Sequence, residues 1–249
     1  MAKTIGQLTQ ATTLASGDEF VIEQSGLTKR VAASVVRGGL VNADIDAAAA
    51  IAHTKLANIT AGRVLLGNAS NVPTATELTG DVTVSNAGVT TLARPLTLAT
   101  SQATTSGTSI DFTGIPSWVK RITMMFSGVS TGGTSNPLIQ LGDSGGIEIS
   151  GYLGASTTGG NNNAANYTAG FGINGSNAGN VMHGILTICK FDSGNNWIAT
   201  GFIALSSDAF SFSFGGSKTL SATLDRIRLT TVNGTDTFDA GSVNIMYEG

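Results

Sequence analysis

Cysteine, histidine and charge are all scarce in this chain of 249 residues, and each shortage removes a class of chemistry. The one cysteine excludes an internal disulfide. Cys189, between Ile188 and Lys190, has no second cysteine or clustered histidine at metal-ligand spacing, so it reads as a buried structural thiol. A nucleophilic triad needs a histidine, and only His53 and His183 exist. His53 falls where no cleft is expected, and His183 sits inside an apolar strand pattern, where a hydrogen-bonded sheet residue is expected rather than a general base. Charged residues make up 12% of the chain, about half the usual share. The net charge is −3 and the basic residues are scattered, so nucleic acid is not an expected partner. Met1-Ala2-Lys3-Thr4 leads into polar residues, and no apolar run approaches a membrane-spanning length, so neither a secretory signal nor membrane insertion is expected.

Gly, Ser, Thr, Asn and Ala fill the space that Lys and Glu normally occupy. A disordered chain would carry high net charge and few β-branched residues; this composition suits extended β-structure with tight turns. Serine and threonine are too abundant to mark a nucleophile. The carboxylates Asp143, Glu148, Asp192, Asp208, Asp225, Asp236 and Asp239 fall mostly at turns, with no pair singled out for glycosidic chemistry. No enzyme activity, cofactor or metal is therefore expected.

Three regions follow one another. Residues 1–40 form a small α+β module, with a hairpin from Phe20-Val21-Ile22-Glu23-Gln24 through Ser25-Gly26 to Leu27-Thr28-Lys29-Arg30-Val31, and a short helical turn over residues 32–37. Its core is too small to stand alone, so it should dock onto its own copies or a larger partner. Residues 41–100 begin with helix-start residues at Asn42-Ala43-Asp44 and a helix-prone run to Leu56. Ile45, Ala52, Leu56 and Ile59 make an apolar stripe too narrow for a monomer but suited to a short parallel coiled coil. Short β-clusters then recur from Gly62 to Leu92, separated by turn pairs, with almost no aromatic residue to pack. Three chains around a common axis could bury these aliphatics together. A threefold axis would also gather three copies of His53, but its position beside the stripe favours a solvated side chain over a metal ligand.

The run Asn42-Ala43-Asp44-Ile45-Asp46 through Ala52-His53-Thr54-Lys55-Leu56 resembles a segment common in tail fibres of tailed bacteriophages. Leu78-Thr79-Gly80-Asp81-Val82-Thr83-Val84-Ser85-Asn86 through Leu92 is similar to the shaft element that often follows it. Thr4-Ile5-Gly6-Gln7-Leu8 with Asp18-Glu19-Phe20-Val21-Ile22 resembles the opening of such fibres. The resemblance covers roughly the first two fifths of the chain. It implies a homotrimer, attachment to a phage tail or baseplate protein through residues 1–40, and a place in the virion after synthesis in the bacterial host cytoplasm. A head fibre or capsid decoration protein has the same build without a receptor, and a polysaccharide depolymerase is the remaining alternative.

Residues 101–249 read as strand after strand. Ile122, Met124 and Phe126 alternate with polar neighbours; Val181–Phe191 and Trp197–Leu205 are apolar on both faces and should lie centrally; Phe210, Phe212 and Phe214 alternate with serine. The apolar parity shifts between Leu224 and Ile227, which suggests a bulge near Asp225-Arg226. Asn233-Gly234 is the strongest hairpin signal. Eight to ten such strands predict an antiparallel β-sandwich, jelly-roll-like, and the last strand is similar to those closing phage-fibre domains. Gly151–Asn180 is the longest stretch without a strand pattern. Its amides at Asn161, Asn162, Asn163, Asn174 and Asn177, flanked by the rings of Tyr152 and Tyr167, suit a sugar, so a host cell-surface glycan or lipopolysaccharide is the expected receptor.

Overall fold

A computed structural model of the chain describes residues 19–32, 45, 48–49, 58–159, 163–174 and 177–249. The helical turn expected after Ala32 and most of the expected helix, including Ala52, His53 and Leu56, lie outside those residues. The chain divides into two compact units, residues 1–60 and 61–249. Every element among the described residues is a β-strand.

In the first unit, β1 (Glu19–Gln24) pairs antiparallel with β2 (Leu27–Ala32), and Gln24 faces Leu27. The loop of Ser25 and Gly26 has φ of 55° and 76°. Both central residues thus take the left-handed region that a tight type I′ turn needs, which is why the serine-glycine pair sits there. Ile45 and Ile59, assigned to the apolar stripe, are both exposed in the single chain.

The second unit opens with two small hairpins, β3 (Arg63–Gly67) with β4 (Pro73–Glu77) and β5 (Val82–Val84) with β6 (Thr90–Leu92). Side chains fix their turns. Asn68 Oδ1 accepts from the N–H groups of Ser70 and Val72 at 2.9 and 3.0 Å, and Ser85 Oγ accepts from those of Ala87 and Val89 at 3.3 and 3.2 Å. Leu65, Leu66, Val72, Val82, Val89 and Leu92 remain exposed. A two-stranded hairpin without a buried face is marginal in water.

The rest is a β-sandwich. Its strands are β7 (Thr97–Leu98), β8 (Gln102–Ala103), β9 (Ile110–Thr113), β10 (Arg121–Thr131), β11 (Pro137–Asp143), β12 (Gly146–Ile147), β13 (Tyr152–Gly159), β14 (Ala164–Tyr167), β15 (Phe171–Gly172), β16 (Met182–Lys190), β17 (Asn196–Leu205), β18 (Ser211–Thr219), β19 (Leu224–Thr231) and β20 (Phe238–Glu248). One antiparallel sheet has nine strands in the order β14-β13-β18-β17-β16-β10-β20-β7, with β8 also on β20. The other has five, β12-β11-β19-β9, with β15 on β11. The period of two sends alternate side chains inward, so Ile122, Met124, Leu186, Ile188, Phe212 and Phe214 from the larger sheet meet Phe112, Ile139, Leu141, Ile227 and Leu229 from the smaller in one core.

The parity shift is real. Asp143 pairs with Leu224 and Gly142 with Arg226, so Asp225 is the extra residue of a bulge. Four expectations need correction. Fourteen strands among the described residues form the sandwich, because short edge strands such as β7, β8, β12 and β15 carry no periodic pattern. Asn233-Gly234 makes its turn, with φ 68° at Gly234 and the Gly234 N–H donating to Thr231 O at 3.0 Å. However, β19 and β20 then enter different sheets, so it is a crossover between layers and not a hairpin. Gly151–Asn180, expected to be strandless, contains β13, β14 and β15. Strand β16 is central, but only one of its faces is buried: Ile185 is exposed, as are Ile198 and Phe202 on β17.

Candidate functional site

Strand registers give the sandwich two distinguishable ends. The chain arrives from the hairpins at β7, whose Thr97 pairs with Tyr247. At this near end lie Arg121 opposite Glu248 and Cys189, and Lys190 opposite Trp197 opposite Lys218 opposite Tyr152. The strands run from there to the far end, where Thr131 meets Phe238 and Gly159 meets Ser211. The loops around residues 132–136, 163, 173–174, 177–181, 206–210 and 232–237 therefore share the far end. The stretches picked out around Asn163 and Asn177 fall on the side of the sandwich away from the arriving chain.

Of the five expected binding residues that the structure describes, three are buried. The Tyr152 ring is buried edge-on against Phe171, with ring centroids 5.2 Å apart. Its hydroxyl accepts from Leu141 N–H at 2.7 Å and donates to Glu148 O at 3.0 Å. Burial raises its pKa above the usual phenol value. Tyr167 is also buried, with its hydroxyl accepting from Asn136 Nδ2 at 2.8 Å; burial raises its pKa as well. Asn174 is buried beside them. Its backbone N–H donates to Ser156 Oγ at 3.1 Å and its carbonyl accepts from Thr158 Oγ1 at 3.2 Å, while its Nδ2 has no partner among the described residues. Neither tyrosine offers a stacking face to a sugar, and these three residues hold the loop from within. Asn163 and Asn177 are exposed, whereas Asn161 and Asn162 lie outside the described residues.

The far end is stiffened by short polar networks. Asp236 accepts from Ser135 N–H at 2.8 Å and from Asn233 Nδ2 at 2.7 Å. The bond from Asn233, then that from Ser135, holds its carboxyl below the usual carboxylate range. Asn233 Oδ1 accepts from Thr231 Oγ1 and from the N–H groups of Thr235 and Asp236, so one asparagine closes the turn. His183 is the expected sheet residue: its Nδ1 accepts from Gly128 N–H at 3.3 Å and its Nε2 lies 3.2 Å from Ser206 Oγ. Around this rim Asn163, Asn177, Ser206, Ser207, Asn233 and Thr235 are exposed.

Both signs of charge meet at the near end, where Arg121 pairs with Glu248, Lys218 with Glu148 and Arg226 with Asp225, and Arg228 sits mid-sheet in a bidentate pair with Asp111 at 2.7 Å. The far end has Asp208, Asp236 and Asp239 and no lysine or arginine among the described residues.

A polar cluster that sequence reasoning missed lies at the near end. Lys218, 5% exposed, is ion-paired with Glu148 and donates to Thr219 O at 2.8 Å. Glu148 also accepts from Ser221 N–H at 2.6 Å, and Ser221 Oγ donates to Asp143 at 2.7 Å. Bonding from Ser221, then Gly145, lowers the Asp143 pKa; burial alone would raise that of Glu148, but its bonds to Lys218 and Ser221 prevail and lower it. Both carboxylates are thus held ionised, as acceptors, and the group ties the loop after β12 to β18 across the two sheets. A glycosidic general acid needs the opposite, a raised pKa. Cys189, expected to be buried, is half-buried on the outer face of the large sheet. No group of three or more histidine, cysteine or carboxylate side chains among the described residues is arranged to hold a metal.

No known protein family matches this chain, and no curated protein or solved structure is similar to it.

Proposed function

We propose that this chain is the subunit of a homotrimeric attachment fibre of a tailed phage, anchored in the virion through residues 1–40 and touching the host through the far end of the sandwich. The observation that carries the reading is the layout of the second unit. Hairpins with bare aliphatic side chains precede the sandwich, the chain joins it at one end, and the polar loops gather at the other. Aliphatics left bare among the described residues call for further copies, and loops held away from the attachment point suit contact with another surface. The sandwich wraps in a jelly-roll-like manner: β10–β20, β11–β19 and β13–β18 nest one inside the next and alternate between sheets. The innermost pair, β16–β17, stays in the larger sheet instead of crossing.

The far-end chemistry narrows the receptor. A surface with carboxylates and no cation among its described residues repels phosphate- or uronate-rich polymers, while exposed amides and hydroxyls pair with sugar hydroxyls. A neutral glycan is the receptor class that fits, with three weak sites per fibre acting together. The test is adsorption. Purified full-length protein should bind host cells and block phage attachment, with little dependence on salt. Asn177→Arg, at an exposed position, should weaken both effects. Failure of the protein to bind host cells, or labelling of the capsid instead of the tail by antibodies against it, would overturn the reading.

A further inference from the structure

No described residue of the second unit covers the outer face of the nine-stranded sheet, and its chemistry is unlike that of an ordinary solvated face. Met125, Ile185 and Phe202 stand side by side in one row across β10, β16 and β17; the row beside it includes Thr187 and Thr200, and Ile198 lies beyond. Phe202 is 56% exposed, Ile185 51% and Ile198 44%. No lysine, arginine or carboxylate lies in these two central rows, and charge returns only at the end row, where Arg121 pairs with Glu248. The five-stranded sheet behaves differently: the middle of its outer face holds Gln140, Arg228 and Asp111 in one row, salt-bridged and polar. A face that is apolar at its centre with charge at its margin has the anatomy of a buried interface.

We infer that this face is buried against other copies of the same chain, making the sandwich itself part of the oligomer contact. The inference rests on the fibre reading for the presence of copies, but the choice of face comes from the sheet. Two arguments identify the occupant. Six strands from β20 to β13, spaced about 4.8 Å and roughly nine residues long, give a footprint of about 850 Å², close to the roughly 800 Å² per partner of a standard stable interface. The face is also continuous with the bare aliphatics before it: Leu92 and Leu96 are exposed, and the exposed Leu98 pairs with Met246 beside Thr123. Copies brought together along the hairpins would meet next at this sheet.

Cys189 is on the same face and is the chain's one thiol, so it reports on cover directly. The experiment measures maleimide labelling of Cys189 in the native full-length protein and in Thr200→Arg, with sedimentation to give the oligomeric state. Thr200 is exposed and makes no core contact, so the charge disturbs an interface and not the fold. Phe202→Glu serves as a second variant, and far-ultraviolet circular dichroism checks both. In the native oligomer, labelling should be slower by about tenfold or more than in Thr200→Arg, corresponding to about 1.4 kcal/mol or more of protection. A native trimer whose Cys189 labels as fast as in the folded variants overturns the assignment of this face and leaves the fibre reading intact. A native monomer at every concentration overturns both. If both variants fail to fold, labelling of the native oligomer against its urea-dissociated chains decides the matter: equal rates sink the assignment.

Discussion

Replacing Lys218 by methionine isolates the charge pair that clamps the two sheets at the near end. Methionine keeps the apolar stem and its packing near the Tyr152 ring, over which the ammonium sits at 5.4 Å from the centroid, but removes the cation. Glu148 is then left with Ser221 N–H as its partner in a site where its side chain is only 22% exposed. Stranding one member of a fully buried pair costs about 3–5 kcal/mol. Water reaches part of Glu148, so about 2–3 kcal/mol is the expected loss, or roughly 5–10 °C in Tm for a unit of this size. Urea or thermal unfolding at fixed protein concentration measures it, since oligomerisation makes the midpoint concentration-dependent. Two signatures separate a stranded charge from simple loss of packing. Adding Glu148→Gln should restore much of the stability, because no uncompensated charge remains. The deficit should also depend on pH. In the native protein Glu148 lies below its ordinary value of 4.5, so pairing contributes stability that is present above 4.5 and lost as pH falls through the lowered value. In Lys218→Met burial without a cation raises the same carboxyl, so the gap between the proteins is full at neutral pH and closes on acidification. A deficit independent of pH, or a double variant as unstable as the sum of the singles, would refute this account.

Other perturbations test other parts of the fold. Tyr152→Phe removes the hydroxyl that accepts from Leu141 N–H and leaves that buried donor unpaired; the expected cost is about 1–3 kcal/mol by chemical denaturation, and an unchanged midpoint would show that water fills the place. Gly241 takes φ 86°, and a Cβ there would lie 2.2 Å from Gly128 O at the β10–β20 bulge. Gly241→Ala should therefore cost more than the roughly 1 kcal/mol typical of glycine replacement at a left-handed position, read as a lower Tm. Asp143, like Glu148, is held below its ordinary value, 3.8 in its case. Acid should therefore destabilise the sandwich as pH falls below that value, and Asp143→Asn should flatten that part of a Tm-versus-pH curve.

Alternation along β10 and β18 was legible in the sequence because each strand has one dry face, and inward Ile122, Met124, Phe126, Phe212 and Phe214 fall at period two. The same logic placed the bulge near Asp225. It failed on β16 and β17, where two-sided apolarity signalled burial on both faces, while the described residues of the second unit bury one. Sequence pattern cannot say whether the cover comes from the same chain. Glycine and asparagine surround Tyr152 and Tyr167 in the sequence and suggest the rims of a binding loop, yet strands β13 and β14 turn both rings inward. The Lys218–Glu148–Asp143 cluster had no local signature at all, because its members lie 75 residues apart in the case of Asp143 and Lys218 and meet only when two sheets close.

The first strands of the sandwich also decide how it bears load. From Thr97 to Thr104 the chain lies along β20: Thr97 opposite Tyr247, Leu98 opposite Met246, Ala99 N–H on Ile245 O, Gln102 opposite Val243, Ala103 opposite Ser242 and Thr104 N–H on Gly241 O. Asn244 Nδ2 adds a side-chain bond to Ala99 O. A pull transmitted from the hairpins while the far end is held runs parallel to this ribbon, so its bonds, which lie across the strands, are sheared together instead of being opened one at a time. The junction resists tension as a lap joint does, through the length of the overlap and not through the strength of any one bond.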